Sequence, residues 1–334
     1  MPLALSVLDL AFIRPGGSAA ESLAHSVELA RAAERSGYGR VWYAEHHGMA
    51  TIASSAPAVV IAHVAAHTST IRLGAGGVML PHHSPLVVAE QFGTLAELHP
   101  GRIDLGLGRA PGGDRAVFAA LRRTPEASDR FPQDVVELQG LLAGEARADG
   151  VVATPGAGTH VPLYVLGSSL FGAQLAAQLG LPYAFASHFA PQALEEAVAL
   201  YRGTYRPSAA HPEPYVIAGV NVVAAEDGDD ARAQFTDARR QRVRAMISRG
   251  AASVSYSDEE IDAFLTTPQG AGIAAMMSKV AVGTPGEVRA GLEAFAAEAR
   301  ADELITVHPS LDPEARIRSV ELAGAALRHP GDSQ

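Results

Sequence analysis

The segment Arg40-Val41-Trp42-Tyr43-Ala44-Glu45-His46-His47-Gly48 breaks an apolar run off on one carboxylate and two adjacent imidazoles. Side chains of this kind move protons near neutral pH or ligate a metal ion. Trp42 is the sole tryptophan, so the switch from packing residues to ionisable ones is abrupt. The same switch recurs along the chain. Leu80-Pro81-His82-His83 follows a glycine-rich apolar run, and Gly106-Leu107-Gly108-Arg109 ends another. Gly167-Ser168-Ser169, Ser187-His188-Phe189 and His308-Pro309 end three more. Six of the 13 histidines therefore sit just after an apolar run, which concentrates them on one face. Any one of them, taken alone, reads as a hydrogen-bonded structural imidazole.

The runs that carry these residues are short and apolar, and they alternate with amphipathic stretches of helical length, the pattern of parallel βαβ units. Strands are expected at 3–10, 40–44, 71–79, 103–107, 163–166, 183–186, 215–223 and 303–307. Helices are expected at 20–36, 56–67, 85–99, 131–142, 171–179, 192–205, 229–249 and 312–327. Eight strand-helix pairs predict a (β/α)₈ TIM barrel, whose functional residues gather at the C-terminal ends of its strands. A doubly wound sheet would want Gly-x-Gly-x-x-Gly after its first strand, and Leu10-Ala11-Phe12-Ile13-Arg14-Pro15-Gly16-Gly17 is not that. Two connections exceed a plain turn. Residues 144–161 predict a small hairpin or loop excursion, and about eighty residues separate the seventh and eighth strands, an insertion of lid or dimer-arm size. One barrel domain over 1–334 is expected, with the insertion centred on 250–282.

The strand ends also hold what an anion needs. Arg109, after a glycine-flanked strand, can give an oxyanion two parallel N–H bonds, an interaction of about 1.5–3 kcal/mol when partly buried. Ser168 and Ser169 open the next helix but one, where backbone N–H groups and hydroxyls converge. Together they read as a phosphate cradle, although each alone reads as an ion-pair residue or a helix cap. Gly74, Gly76 and Gly77 inside a strand are costly unless something flat approaches the backbone.

Composition narrows the partners. The 334 residues are 48% hydrophobic and 19% charged, with a formal net charge of -10 and no basic block, which argues against nucleic-acid or acidic-membrane binding. No cysteine is present, so disulfides, thiolate metal sites and a cysteine nucleophile drop out. No secretion signal or membrane-length apolar run is evident, and a cytoplasmic location is expected.

These motifs carry a resemblance. Trp42-Tyr43-Ala44-Glu45-His46-His47, Leu80-Pro81-His82-His83-Ser84-Pro85-Leu86, Glu90-Gln91, the run 98–109, Gly167-Ser168-Ser169, the run 180–189 and Gly283-Thr284-Pro285-Gly286-Glu287-Val288 stand in the order and spacing of one family. Over essentially its whole length the chain resembles the bacterial luciferase-like flavin monooxygenases, and its single-subunit-type members more than the light-emitting heterodimer. The resemblance implies a TIM barrel holding FMN across its strand ends. Arg109, Ser168 and Ser169 would hold the 5'-phosphate, with His188 also on the cofactor side. Gly76-Gly77 would form a non-proline cis peptide against the isoalloxazine. His46 matches the family's catalytic histidine, with Glu45 and His47 as supporting neighbours. It further implies FMNH₂ supplied by a separate NAD(P)H:flavin reductase, since no nicotinamide fingerprint is present, then reaction with O₂ through a C4a-peroxyflavin to oxygenate a small organic substrate. A homodimer through the helices at 56–66 and 87–98 is also expected.

Two departures matter. Gly108 stands where the luciferase catalytic subunit carries a reactive cysteine, and Gly167 replaces its phosphate-site glutamate, so light emission is not expected and the flavin is held differently. Three other readings stay open: a deazaflavin-dependent hydride-transfer oxidoreductase, a flavin binder without turnover, and a metal-dependent hydrolase using His46, His47, His82, His83, His188 and His308. Against the last, the first strand ends in Asp9-Leu10-Ala11-Phe12 without a His-x-His pair, and the sequence shows no further carboxylate cluster, so no metal ligands are assigned.

Overall fold

Nine parallel strands make up one sheet, and eight of them close it into a barrel. The computed structural model describes residues 3–109, 115–145, 149–247 and 256–328. The strands are β1 (Ala4–Asp9), β2 (Arg40–Tyr43), β3 (Arg72–Met79), β4 (Ile103–Gly108), β5 (Leu163–Gly167), β6 (Tyr183–Phe185), β7 (Val216–Ala224), β8 (Val280–Gly283) and β9 (Glu303–Val307). Their order is β6-β5-β4-β3-β2-β1-β9-β7-β8, and pairing of β6 with β7 closes the ring. The expected TIM barrel is thus present, with β9 as its eighth strand.

The helices are α1 (Ala19–Arg35), α2 (Pro57–Ala65), α3 (Pro85–Leu98), α4 (Arg115–Ala120), α5 (Phe131–Ala143), α6 (Leu170–Leu179), α7 (Leu194–Thr204), α8 (Gly228–Ile247), α9 (Asp258–Leu265), α10 (Pro268–Ala275), α11 (Pro285–Ala299) and α12 (Pro313–Leu327). All eight expected helices are found within a few residues of their expected ends. Among the described residues no helix is long and apolar enough to cross a membrane.

Three features refine the expectations, the third choosing between the two forms expected of residues 144–161. The insertion contains a ninth strand, β8, which pairs with Asn221 to Ala224, the part of β7 that runs on beyond its pairing with β9. The helix at 229–249 is α8, which follows β7 as expected and packs on β7 and β8, with α9 and α10 beside it; α11 also packs on β7 and β8 and extends to β9 and α12. Both helices therefore cover β7 and its partner β8. Finally, the described part of the 144–161 connection holds turns and a cis Thr154-Pro155 bond in place of a hairpin. Residues 146–148, and 250–255 of the expected lid, lie outside the described residues.

Alternation along each strand divides the packing into two layers. Leu8, Trp42, Tyr164, Ile217, Ile305 and Val307 fill the barrel interior, with Leu166 and Tyr215 against them. Val7, Val41, Tyr43, Leu73, Leu105, Val165 and Phe185 face the helices.

The N-terminal ends of the strands are closed by charge. Arg40, first in β2, gives Nε to Glu303 Oε1 at 3.0 Å and Nη2 to Glu303 Oε2 at 3.1 Å. Its Nη1 reaches Asp104 Oδ2 at 2.8 Å and the Tyr164 hydroxyl at 2.7 Å. Tyr215 donates to Glu303 at 2.7 Å, Trp42 Nε1 to Asp104 at 3.2 Å, and Arg72 also pairs with Asp104. Polar closure at this end leaves the opposite end for chemistry.

Candidate active site

The turn after β2 is built to present Glu45. The Ala44 N–H donates to the Asp9 carbonyl at 3.3 Å and the His46 N–H to the Ser54 carbonyl at 3.0 Å. The Ser54 hydroxyl donates to the Ala44 carbonyl. Gly48, at φ 67°, adopts the left-handed conformation that lets the chain turn back. Glu45 is 1% exposed, yet each of its oxygens is hydrogen-bonded. Oε1 lies 2.6 Å from His47 Nε2 and 2.7 Å from His83 Nε2, and Oε2 accepts the Met79 N–H at 3.0 Å. Burial alone would raise its pKa, but the His83 bond and charge, the Met79 amide and His47 outweigh it and the carboxyl is lowered. An ionised carboxylate only accepts, so both imidazoles donate to it through Nε2.

The two adjacent histidines after Glu45 have different surroundings. His47, two residues on, returns to the carboxylate. His46 Nδ1 is buried and makes no hydrogen bond. Burial lowers the His46 pKa; Glu45 opposes this, while His47 and Arg242 of α8 reinforce it.

His82 and His83 ride on the short 3₁₀ turn Leu80–His82 that follows β3. His82 is 6% exposed, and neither of its ring nitrogens has a partner. Its ring lies 5.5 Å from that of His47 and edge-on to Phe118 at 5.3 Å. Glu45, His47 and His82 each bring one ligand-type atom within 4.8 Å of the other two. The sequence offered no second carboxylate to complete a metal site, but the fold needs none, because it draws imidazoles from two strand ends around Glu45.

His188 follows β6 and is buried, with its pKa lowered to about 3 by burial first, then by the charges of Arg242 and His46. Its carbonyl accepts Asn221 Nδ2 at 2.7 Å, and its ring occupies the space where a side chain on Gly219 would stand. His308 leaves the group. Immediately after β9 it points to the helix layer, where Nδ1 meets the Ser319 hydroxyl at 2.8 Å and Nε2 the Thr306 hydroxyl at 3.0 Å, so it is a core imidazole.

At the ends of β4 and β5 the Arg109 guanidinium lies 4.1 Å above the Phe171 ring, in the first turn of α6. No carboxylate among the described residues pairs with Arg109. Ser169 is the N-cap of α6, in an extended conformation, and its hydroxyl makes no capping bond; the first turn has no acidic residue. Tyr183 donates to the Ser169 carbonyl at 3.1 Å, fixing the cap backbone. The first N–H groups of α6, two hydroxyls and a guanidinium thus remain for an anion.

The Gly76-Gly77 peptide is cis, and both residues are half-buried. The glycines of β3 are, however, demanded by protein atoms. A Cβ on Gly74 would come within 2.8 Å of the Asp104 carbonyl oxygen and Trp42 Cδ1, one on Gly76 within 2.7 Å of Leu8 Cδ1, and one on Gly77 within 2.7 Å of the Gly106 carbonyl oxygen. The close approach inferred from the sequence is at least in part the approach of neighbouring strands and interior side chains.

Comparison with known proteins places the chain in a family. The model of the luciferase-like monooxygenases matches residues 3–303. The chain belongs to the luciferase-like monooxygenase family. Its members are flavin-dependent oxidoreductases. A luciferase-like monooxygenase of Escherichia coli (strain K12) is 47% identical over 323 residues, 96% of each chain. Among solved structures, apo-MsnO8 superposes with a TM-score of 0.85 at 38% identity, covering 97% of this chain and 98% of that one. The oxygenating constituent of 3,6-diketocamphane monooxygenase from Pseudomonas putida, in complex with FMN, shares the fold at a TM-score of 0.73 and 18% identity, covering 97% of each chain.

Proposed function

We propose that this luciferase-like monooxygenase is FMN-dependent, taking reduced FMN from a separate NAD(P)H:flavin reductase and using O₂ to oxygenate a small organic substrate. The observation that carries the reading is the uncommitted anion cradle of Arg109, Ser168, Ser169 and the α6 N-terminus, which suits a phosphate monoester. The FMN-bound 3,6-diketocamphane enzyme has the same fold, which supports it further. FMN, when bound, supplies the electrons and the site of oxygen activation.

The protein's own residues supply the rest. Arg109, Ser168 and Ser169 bind the phosphate. Gly76 and Gly77 would offer a flavin a surface without side chains, and His188, neutral at working pH, would line the same side of the mouth. His46 Nδ1 is the atom that takes or gives a proton, since an unpartnered neutral imidazole is ready to accept one. Glu45 fixes His47 beside it. The helices α9 and α10 serve as the lid that excludes water. Apolar side chains left exposed on α2 and α3, Val59, Val87 and Leu98, support a homodimer through these helices.

Titration of the purified protein with oxidised FMN, reduced FMN and a deazaflavin tests the cofactor assignment. Reduced FMN is expected to bind and to be reoxidised by O₂ more slowly than free reduced FMN. Selective binding of the deazaflavin, or no binding of either FMN form, overturns it. His46→Ala is expected to keep FMN affinity and lose substrate oxygenation; undiminished oxygenation removes His46 from its role.

A further inference from the structure

The flavin reading leaves His82 unexplained. This imidazole is 6% exposed, and both ring nitrogens are buried without a hydrogen bond. Leaving such groups without a partner is costly unless something else satisfies them. Its neighbours are not apolar packing alone. Glu45 Oε1 is already drawn upon by His47 and His83, and the ligand-type atoms of Glu45, His47 and His82 lie within 4.8 Å of one another.

We propose that Glu45, His47 and His82 form a binding site for a divalent first-row transition-metal ion. One carboxylate and two imidazoles, with no thiolate, suit zinc(II) and its neighbours better than calcium or magnesium, which prefer all-oxygen ligands. Metal-ligand bonds of about 2.0–2.1 Å put tetrahedral ligand atoms about 3.3 Å apart. An ion would therefore open the 2.6 Å contact between His47 Nε2 and Glu45 and draw His82 inward from within 4.8 Å, and three protein ligands leave a fourth position for water.

The surroundings are those a metal site uses. His83 Nε2 holds the Glu45 oxygen at 2.7 Å and so orients the carboxylate, as hydrogen-bond partners of metal ligands commonly do. The Met79 N–H holds the other oxygen at 3.0 Å. Phe118 packs its edge against His82 at 5.3 Å, and Arg123 Nε donates to the His82 carbonyl at 3.3 Å, fixing ring and backbone together. His46 takes no part, so the ion would sit beside the proton-handling imidazole and compete with Glu45 for His47. The proposal does not depend on which flavin the protein binds.

The test uses the full chain, stripped with a chelator and titrated with cobalt(II) and zinc(II) salts, with metal content per chain measured after desalting. One ion per chain is expected, with the visible absorption of low-coordinate cobalt(II). His82→Ala and Glu45→Gln should each weaken cobalt binding at least tenfold, and His83→Ala roughly tenfold through the lost orientation of Glu45. A decoy exists: His63 of α2 and His67 just beyond its end, with rings 4.7 Å apart, could chelate an ion at the surface. The double variant His63→Ala, His67→Ala should therefore leave the high-affinity ion in place. Absence of a stoichiometric ion overturns the proposal, as does an ion lost with His63 and His67 but retained without His82. If circular dichroism shows His82→Ala to be unfolded, His47→Ala and Glu45→Gln decide, and an ion retained by both overturns the site equally.

Discussion

His83 and Glu45 lie 38 residues apart in the chain, and their side chains meet at 2.7 Å, joining the turn after β2 to the turn after β3. Removing the carboxylate would leave the Met79 N–H and two imidazoles without their acceptor. Glu45→Ala is expected to destabilise the fold by about 2–4 kcal/mol, measured by denaturant unfolding. The folded pKa of Glu45 is lowered, so its contribution is present above the unfolded value near 4.5 and lost as pH falls through the folded one. Wild type should therefore show an acid-side loss of stability that Glu45→Ala lacks.

His188 and His308 give a second pH signature at a different window. Each has a folded pKa of about 3 against an ordinary 6.5, because burial disfavours the imidazolium. Above pH 6.5 neither form is charged and no stability is lost. Between pH 6.5 and about 3 the unfolded chain takes up protons that the folded chain refuses, so stability falls by about 1.4 kcal/mol per pH unit for each. His308→Asn should reduce the slope between pH 6 and pH 4 by about 1.4 kcal/mol per pH unit. An unchanged slope would place the proton uptake elsewhere.

Gly76 and Gly77 should respond differently to the same substitution. A Cβ on Gly76 meets the side-chain atoms Leu8 Cδ1 at 2.7 Å and Trp42 Cβ at 2.9 Å. One on Gly77 meets the Gly106 carbonyl oxygen at 2.7 Å and its carbon at 2.9 Å, backbone that cannot turn aside. Gly77→Ala is expected to cost about 3 kcal/mol and Gly76→Ala about 1–2 kcal/mol, read from unfolding midpoints. Equal costs would mean that β4 gives way as readily as Leu8.

Arg40→Ala tests the charged end of the barrel. The substitution leaves Glu303 and Asp104 buried with fewer counter-charges, a loss of about 3–5 kcal/mol. Denaturant unfolding of the variant measures it.

Arg109→Ala bears on the cofactor. A partly buried guanidinium-phosphate contact is worth about 1.5–3 kcal/mol, so the Kd for FMN should rise by roughly ten- to 150-fold, while riboflavin, which lacks the phosphate, should be affected much less. Equal weakening of both ligands would remove the phosphate role.

Much of this was legible from local pattern. The eight barrel strands announce themselves as short apolar runs, and Glu45, His46 and His47 announce themselves as ionisable residues where one of those runs breaks off. The four-residue strand Val280–Gly283 does not, since it is buried only at alternate positions and its partner is the overhang of β7, known only once the barrel is closed. Nor could sequence show that α8 and α11 share the cover of β7 and β8, because that rests on packing over some sixty residues of chain. His83 finds Glu45 across 38 residues and His308 finds Ser319 on α12. In each case strand order and strand facing, and not residue type, separate a functional imidazole from a structural one.

The Arg40, Asp104 and Glu303 network, with its tyrosines and Trp42, makes the barrel a cup and not a tube. Any molecule that enters the barrel must use the opposite mouth. A molecule held deep in such a cup is trapped beneath whatever arrives after it, so order of arrival becomes a property of the architecture. The last to bind must be the first to leave.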